Sequence, residues 1–447
     1  MIIGLVPQST LRRACLGGLI LSAAVAPAQA AQTGYGIGYA GEYSSNIGRA
    51  STNPESEWIN ILVAGMTYIE SSSDISARAT VQGQLRDYAD DAFADEAVGM
   101  VDASLLWSIS PGRLTWTVED AFREVTLNPT VASTPANRAG ANVFNTGPDF
   151  RIQFSPVHAL SLGARYGNVY VGSSDLDNNR YSGTAQWSYQ PSSTLTTSLI
   201  LSQLRVNYDS NAVNDDFRRD DVFLRLQRRY PQSELVVDAG KTNIKRDRFD
   251  EVDGSLARLS LRRALSTTTS FGLSLTREFQ DSGSDLLDSI TDPGLPIGGI
   301  APPSTGTDVI TNDIFTSKRV DAFFLGRGAR VNWSTRVNTR ALDFETSLQD
   351  RREAGGRFDV GYFYSPLTGI TAFGELLKTN YLDSTRQDED FTVGLRFSYQ
   401  AQRYLNYMAE ARRIQRDSTD LASEFVDKRV LFSIMYTTGP LYQPLVR

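Results

Sequence analysis

Alternation with a period of two constrains this chain more than any other feature. In 75–86 the apolar residues Ile75, Ala77, Ala79, Val81 and Leu85 interleave with Ser76, Arg78, Thr80, Gln82, Gln84 and Arg86. Successive side chains of a strand point to opposite faces, so such a segment turns one face to an apolar medium and the other to water. The design repeats in 391–399, where Phe391, Val393, Leu395, Phe397 and Tyr399 oppose Thr392, Gly394, Arg396 and Ser398. It repeats again in 181–189, where Tyr181, Ala185, Trp187 and Tyr189 oppose Ser182, Thr184, Gln186 and Ser188, and in 222–229, 257–262 and 430–436. Helical spacing is hard to find over any comparable window.

The connections carry a second regularity. Short reversals built around proline, at 110–112, 155–157, 190–192, 230–232 and 365–367, succeed long polar stretches at 45–55, 89–96, 128–149, 209–220, 245–253, 281–313, 383–390 and 417–424. Proline presets φ for a turn and cannot donate to a ladder, which suits it to the reversals. A unit of strand, long loop, strand and short turn is the plan of an outer-membrane barrel with short periplasmic turns and long external loops. The expected fold is therefore all-β, a closed antiparallel transmembrane β-barrel of about twenty strands, or about eighteen if 314–351 is divided differently. Tyrosines towards strand ends, among them Tyr166, Tyr189, Tyr362, Tyr399 and Tyr436, match interfacial girdles.

The first residues read as an export address. Arg12 and Arg13 precede an apolar stretch from Ala14 to Ala26, and Ala28-Gln29-Ala30 forms a small-x-small cleavage site. This divides the chain into a signal peptide, 1–30, and a single barrel domain, 31–447, in the outer membrane. The only cysteine, Cys15, falls inside the leader, so disulfides and thiolate metal sites are excluded from the mature chain.

Histidine is as scarce: His158 is the only one, and it falls in a short periplasmic connection. Neither a serine triad nor a His-rich metal site can be assembled, and carboxylate chemistry singles out no pair. Gly36-Ile37-Gly38-Tyr39-Ala40-Gly41 matches a dinucleotide fingerprint formally but has no strand before it and no helix after it. The reading is a non-enzyme without a cofactor; a barrel enzyme using carboxylates is a third possibility. A net charge of −7 argues against a nucleic-acid partner.

By parity, Arg78, Arg86, Arg165, Arg225, Arg258, Arg262 and Arg396 line the lumen, with Asp102, Glu119 and Glu410 as acidic counterparts. Such charges tune pore selectivity, and guanidinium groups favour anions, acidic sugars included, unless the carboxylates cancel them. The clusters Asp90, Asp91, Asp95 and Glu96, Asp215 and Asp216, and Asp388 to Asp390 read as hydrated external loops, or as holders of divalent cations beside lipopolysaccharide phosphates. The stretch 281–313, with Pro293, Pro296, Pro302 and Pro303, is the longest loop; it folds into the mouth or stays outside.

Four segments resemble a family of outer-membrane β-barrel proteins found with exopolysaccharide biosynthesis and export loci, including PEP-CTERM-linked loci. They are Glu42-Tyr43-Ser44-Ser45-Asn46, Ser110-Pro111-Gly112-Arg113-Leu114-Thr115-Trp116, Asn142-Val143-Phe144-Asn145-Thr146-Gly147-Pro148-Asp149-Phe150, and Leu162-Gly163-Ala164-Arg165-Tyr166. The resemblance implies a role in moving or assembling surface polysaccharide and supplies no catalytic residues. The expected function is non-catalytic passage or docking of an exopolysaccharide, with a general or solute-specific diffusion porin as the alternative. The expected partners are outer-membrane lipid, lipopolysaccharide, the polysaccharide and periplasmic export proteins. The sequence leaves the oligomeric state open.

Overall fold

A computed structural model describes residues 31–439 other than 129, 173, 211–213, 286–310 and 312. The leader at 1–30 and the prolines of 293–303 lie outside the described residues.

The alternating segments form twenty strands. In chain order they are β1 (Gln32–Ser44), β2 (Glu57–Ser71), β3 (Ile75–Tyr88), β4 (Glu96–Ser110) and β5 (Leu114–Thr126). Next come β6 (Arg138–Gln153), β7 (His158–Val171), β8 (Asn178–Ser192), β9 (Leu195–Tyr208) and β10 (Phe217–Tyr230). They continue with β11 (Ser233–Arg246), β12 (Val252–Ala264), β13 (Thr269–Gln280), β14 (Phe315–Arg327) and β15 (Val331–Phe344). The last are β16 (Arg351–Ser365), β17 (Thr368–Tyr381), β18 (Gln387–Gln402), β19 (Leu405–Ser418) and β20 (Phe425–Thr437). The region 314–351 thus holds two whole strands and the start of a third, which decides for twenty over eighteen.

Each strand pairs antiparallel with the next, and β1 pairs with β20 from Gly36↔Thr437 to Ser44↔Arg429, so no sheet edge is left free. Closure satisfies the backbone groups within the sheet, as a hydrocarbon surrounding requires. The glycine-rich start of β1 belongs to this seam: a Cβ on Gly38 would lie 2.0 Å from Met435 Sδ and 2.7 Å from the Ile434 carbonyl oxygen, so a larger residue would force both side chain and backbone of β20 to shift.

The short reversals, such as 72–74, 111–113, 231–232 and 366–367, all meet one rim, and the long loops meet the other. Gly112, at φ 70°, takes the left-handed turn after Pro111. The expected reversal at 190–192 is displaced: β8 continues to Ser192, and its ladder shifts register between Tyr189 and Ser192, where Pro191 cannot donate.

The outer wall is apolar, with Leu224, Leu395 and Phe432 exposed at 56%, 59% and 57%. Aromatic rings ring the short-turn end: Trp107 faces Trp116 across β4 and β5, Phe324 packs on Trp333 at 4.6 Å, and Tyr399 stacks on Tyr407. His158 joins this girdle as the first residue of β7, stacked on Tyr189 at 4.9 Å and Trp187 at 5.7 Å. A closed sheet with an apolar outer belt and an aromatic girdle at the short-turn end is a membrane-spanning barrel of the outer-membrane type.

Towards the long loops the polarity inverts. Val125, Ala141, Val143, Val169 and Val171 form a buried cluster on the inner face, while Asn142, Asn168 and Asn179 stand on the outer face. Ile59, Ile61 and Val63 likewise point inward and pack against Phe93 of the 89–95 loop. Outside, ion pairs such as Lys318–Asp343 and Lys378–Glu389 collar the strand ends. Strands of 12 to 16 residues exceed the ~9–11 that span a bilayer, and the surplus rises out of the lipid at this end.

The inversion corrects the loop boundaries. The stretch 128–149 is a loop only as far as Asn137, because β6 starts at Arg138. The stretches 209–220, 245–253 and 383–390 shrink in the same way. Some of the acids of the expected external clusters are engaged, while Asp90 and Asp91 stay exposed. Asp388 and Asp390 lie in β18 and hold Arg386 and Arg416; Asp216 accepts from Tyr208 N, Asp215 from Arg248 N, and Asp95 from Tyr88 N.

Candidate functional site

Register places Arg78, Arg86, Asp102, Glu119, Arg165, Arg225, Arg258, Arg262, Arg396 and Glu410 on the inner face of their strands. Proximity divides them into paired and unpaired sets.

The paired set runs along the wall as a ladder of guanidinium and carboxylate groups. Arg225 donates twice to Asp238, Nε and Nη2 each at 2.8 Å, and Arg258 binds Glu278 while its Nη1 lies 3.7 Å from Asp238. Arg86 reaches Glu96 at 3.2 Å, and Arg165 binds Asp149 and donates to the Pro148 carbonyl at 3.0 Å. Across the seam the groups form one chain: Arg396 donates to Glu410 (2.7 Å), Arg412 to Glu410 and Glu42 (both 3.1 Å), and Arg429 to Glu42 and Asp427 (both 2.6 Å). Alternate positive and negative groups in a partly desolvated wall hold one another and cancel at distance. Of the two possibilities left open by the sequence, free guanidinium groups or cancellation by carboxylates, the second holds for five of the seven arginines, which pair with Glu96, Asp149, Asp238, Glu278 and Glu410.

Arg78 and Arg262 remain. Arg78 contacts no carboxylate among the described residues, and Arg262 faces Glu234, whose carboxylate Arg229 (2.8 Å) and Gln227 (2.7 Å) already hold. Both stand within three residues of the short-turn ends of β3 and β12. Arg151 near the end of β6 and Arg327 at the end of β14 share their inward register. The only side-chain hydrogen bond described for Arg151 goes to Gln153. This mouth thus has a basic excess, while Asp102 and Glu119 lie deeper, Glu119 accepting from Asn145 at 3.1 Å.

The described feet of the longest loop, 281–285 and Thr311, sit in the opposite mouth. Residues 282–285 form one helical turn inside the barrel. Asp281 accepts from Arg180 on β8 at 2.7 Å and from the Ser284 hydroxyl at 2.7 Å, and Asp285 binds Arg340 of β15 and lies 3.4 Å from Arg319 of β14. The returning limb is clipped to the outgoing one, since the Ser282 hydroxyl bonds Thr311 O at 2.5 Å and accepts from Thr311 N at 2.7 Å. Of the two expected dispositions, the described feet of the loop take the inward one. Burial alone would raise the Asp281 carboxyl, yet Arg180, Ser284 and Arg219 outweigh it and hold it below the usual carboxylate range. Sequence parity had no means of singling out Asp281 or Arg180, because the contact joins residues 101 positions apart.

No protein family model and no curated protein matches the sequence. Among solved structures, OccK2 (OpdF) of Pseudomonas aeruginosa in complex with glucuronate is 9% identical, with a TM-score of 0.38 over 91% of this chain and 98% of that one. OpdQ of Pseudomonas aeruginosa is 14% identical, with a TM-score of 0.40 over 92% and 99%. OccAB4 of Acinetobacter baumannii is 13% identical, with a TM-score of 0.39 over 93% and 100%. Identities of this order leave function to the barrel's own residues.

Proposed function

We propose that the chain is an outer-membrane diffusion channel for small hydrophilic solutes, with a preference for anions. The supporting observation is the division of the lumen into a neutralised ladder and a basic short-turn mouth, with the feet of the longest loop drawn inside the opposite end. A solute crosses such a wall by exchanging water for paired groups that no single ion can capture, and uncompensated arginines raise the local concentration of anions. In planar bilayers the wild-type channel is expected to be anion-selective. Arg78→Glu combined with Arg262→Glu should lower the anion-to-cation permeability ratio severalfold, while Lys241→Glu, on the outer wall, should leave it unchanged. An unaltered reversal potential in the double variant would sink this reading.

Passage of an exopolysaccharide is the second reading, supported by the resemblance of Glu42 to Asn46 and Asn142 to Phe150. It predicts loss of surface polysaccharide on deletion of the gene. Unaltered polysaccharide with reduced uptake of small anions favours the channel.

A further inference from the structure

The outer wall is not uniform. Across β16 to β20 it sinks into a trough of about 660 Å³, lined almost wholly by apolar surface. Its floor is two adjacent register rows. One runs Phe358↔Gly374↔Val393↔Arg413↔Lys428, and the other runs Val360↔Ala372↔Leu395↔Ala411↔Val430. The depression arises because Gly374, Ala372 and Ala411 stand between larger neighbours.

The first row changes character at its end. Phe358 lies in the middle of β16, whereas Lys428 is the fourth residue of β20 from the long-loop rim. With tilted strands, the row climbs from the depth of the apolar belt to the interface. At the top, Arg413 and Lys428 stand directly opposite each other, both exposed. Like charges so placed repel unless an anion lies between them. Elsewhere on this collar Lys318, Arg352, Lys378 and Arg218 each have a carboxylate partner. Neither Arg413 nor Lys428 has one among the described residues; the side chain of Arg413 bonds Gln415 at 2.7 Å.

We propose that the trough is a lipid site: an acyl chain lies over Val393, Leu395 and Ala411, and the phosphate of the same lipid sits between Arg413 and Lys428. The occupant is a phosphorylated lipid of the leaflet at the long-loop rim. The site rests on the membrane-spanning reading of the outer wall and is independent of what crosses the lumen.

Native mass spectrometry of the whole barrel in mild detergent, titrated with purified bis-phosphorylated lipid A, tests the site. The wild type is expected to retain one lipid A. Arg413→Gln combined with Lys428→Gln should weaken retention by about tenfold or more. Ala411→Phe, which fills the trough and spares both cations, should weaken it as well, and Lys241→Gln should not. Dephosphorylated lipid A should bind the wild type no better than the double variant. Equal retention by wild type and double variant overturns the proposal, as does equal loss in Lys241→Gln. A barrel dimer that the trough variants convert to monomer, with no lipid mass in either form, assigns the trough to a second copy and also overturns it. A barrel that needs no detergent to stay in solution would instead end the membrane reading.

Discussion

Replacing Arg429 with alanine is expected to cost about 3 kcal/mol or more of barrel stability. Arg429 ties the first strand to the last. Its side chain is 9% exposed and bonds Glu42 of β1 and Asp427 of β20, which are 7% and 0% exposed. Asp427 also accepts from the Ser44 hydroxyl at 2.7 Å and from Asn46 N at 3.2 Å, so one carboxylate holds the end of β1 and the start of the first loop. Removing the guanidinium leaves Asp427 as a buried charge without its cation, and Arg412 alone to hold Glu42. The loss falls on the one ladder that no hairpin turn holds together, because β1 and β20 are the chain's ends. Arg429→Lys retains the charge but not the two-pronged geometry, and should fall between. By contrast, Arg218→Ala breaks an exposed, solvent-screened pair on the outer collar and should leave the stability almost unchanged. The measurement is the midpoint of urea unfolding in detergent micelles, followed by the mobility difference between heated and unheated barrel on a gel. If Arg429→Ala and Arg218→Ala shift that midpoint equally, the seam does not depend on this cation.

The sequence spoke clearly wherever one face of a strand meets lipid. In β3, β18 and β20 the alternation is sharp; strand and face follow from it in all three, and the inward arginines in β3 and β18. It fell silent where strands leave the lipid. In β6, Ala139, Ala141 and Val143 point into a packed mouth while Asn142 points out, so the pattern reads as a polar loop although the backbone is paired throughout. Pairing partners were less legible still. That Arg396 faces inward follows from Phe391, Val393, Leu395 and Phe397; that Glu410 cancels it depends on the register of the next hairpin, with its irregularity between Gln400 and Gln402. The seam lay furthest out of reach. Glu42, Arg412 and Arg429 are brought together only by closure, and no local pattern in β1 announces a partner 387 positions away.

Asp281→Asn is expected to free the helical turn at 282–285, the outgoing foot of the longest loop, from the wall and to raise single-channel conductance severalfold. The carboxylate is 2% exposed and faces Arg180, 6% exposed, so the substitution leaves a buried guanidinium without its counter-ion. Breaking a buried pair from one side costs about 3–5 kcal/mol; at about 1.4 kcal/mol per factor of ten, that shifts docked against undocked foot by a hundredfold or more. Arg180→Met with Asp281→Asn removes both charges and should restore part of the docking, which separates pairing from packing. Acid should reproduce the single variant. The folded carboxyl titrates below its unfolded value near 3.8, so its contribution is complete above that value and disappears as pH falls through the lower, folded one. Conductance of the wild type should therefore stay flat from neutral pH down to about 4 and rise only below it, while Asp281→Asn is already raised at neutral pH. A variant with wild-type conductance and the same acid threshold would show that Arg180 and Asp281 touch without holding the 282–285 turn against the wall.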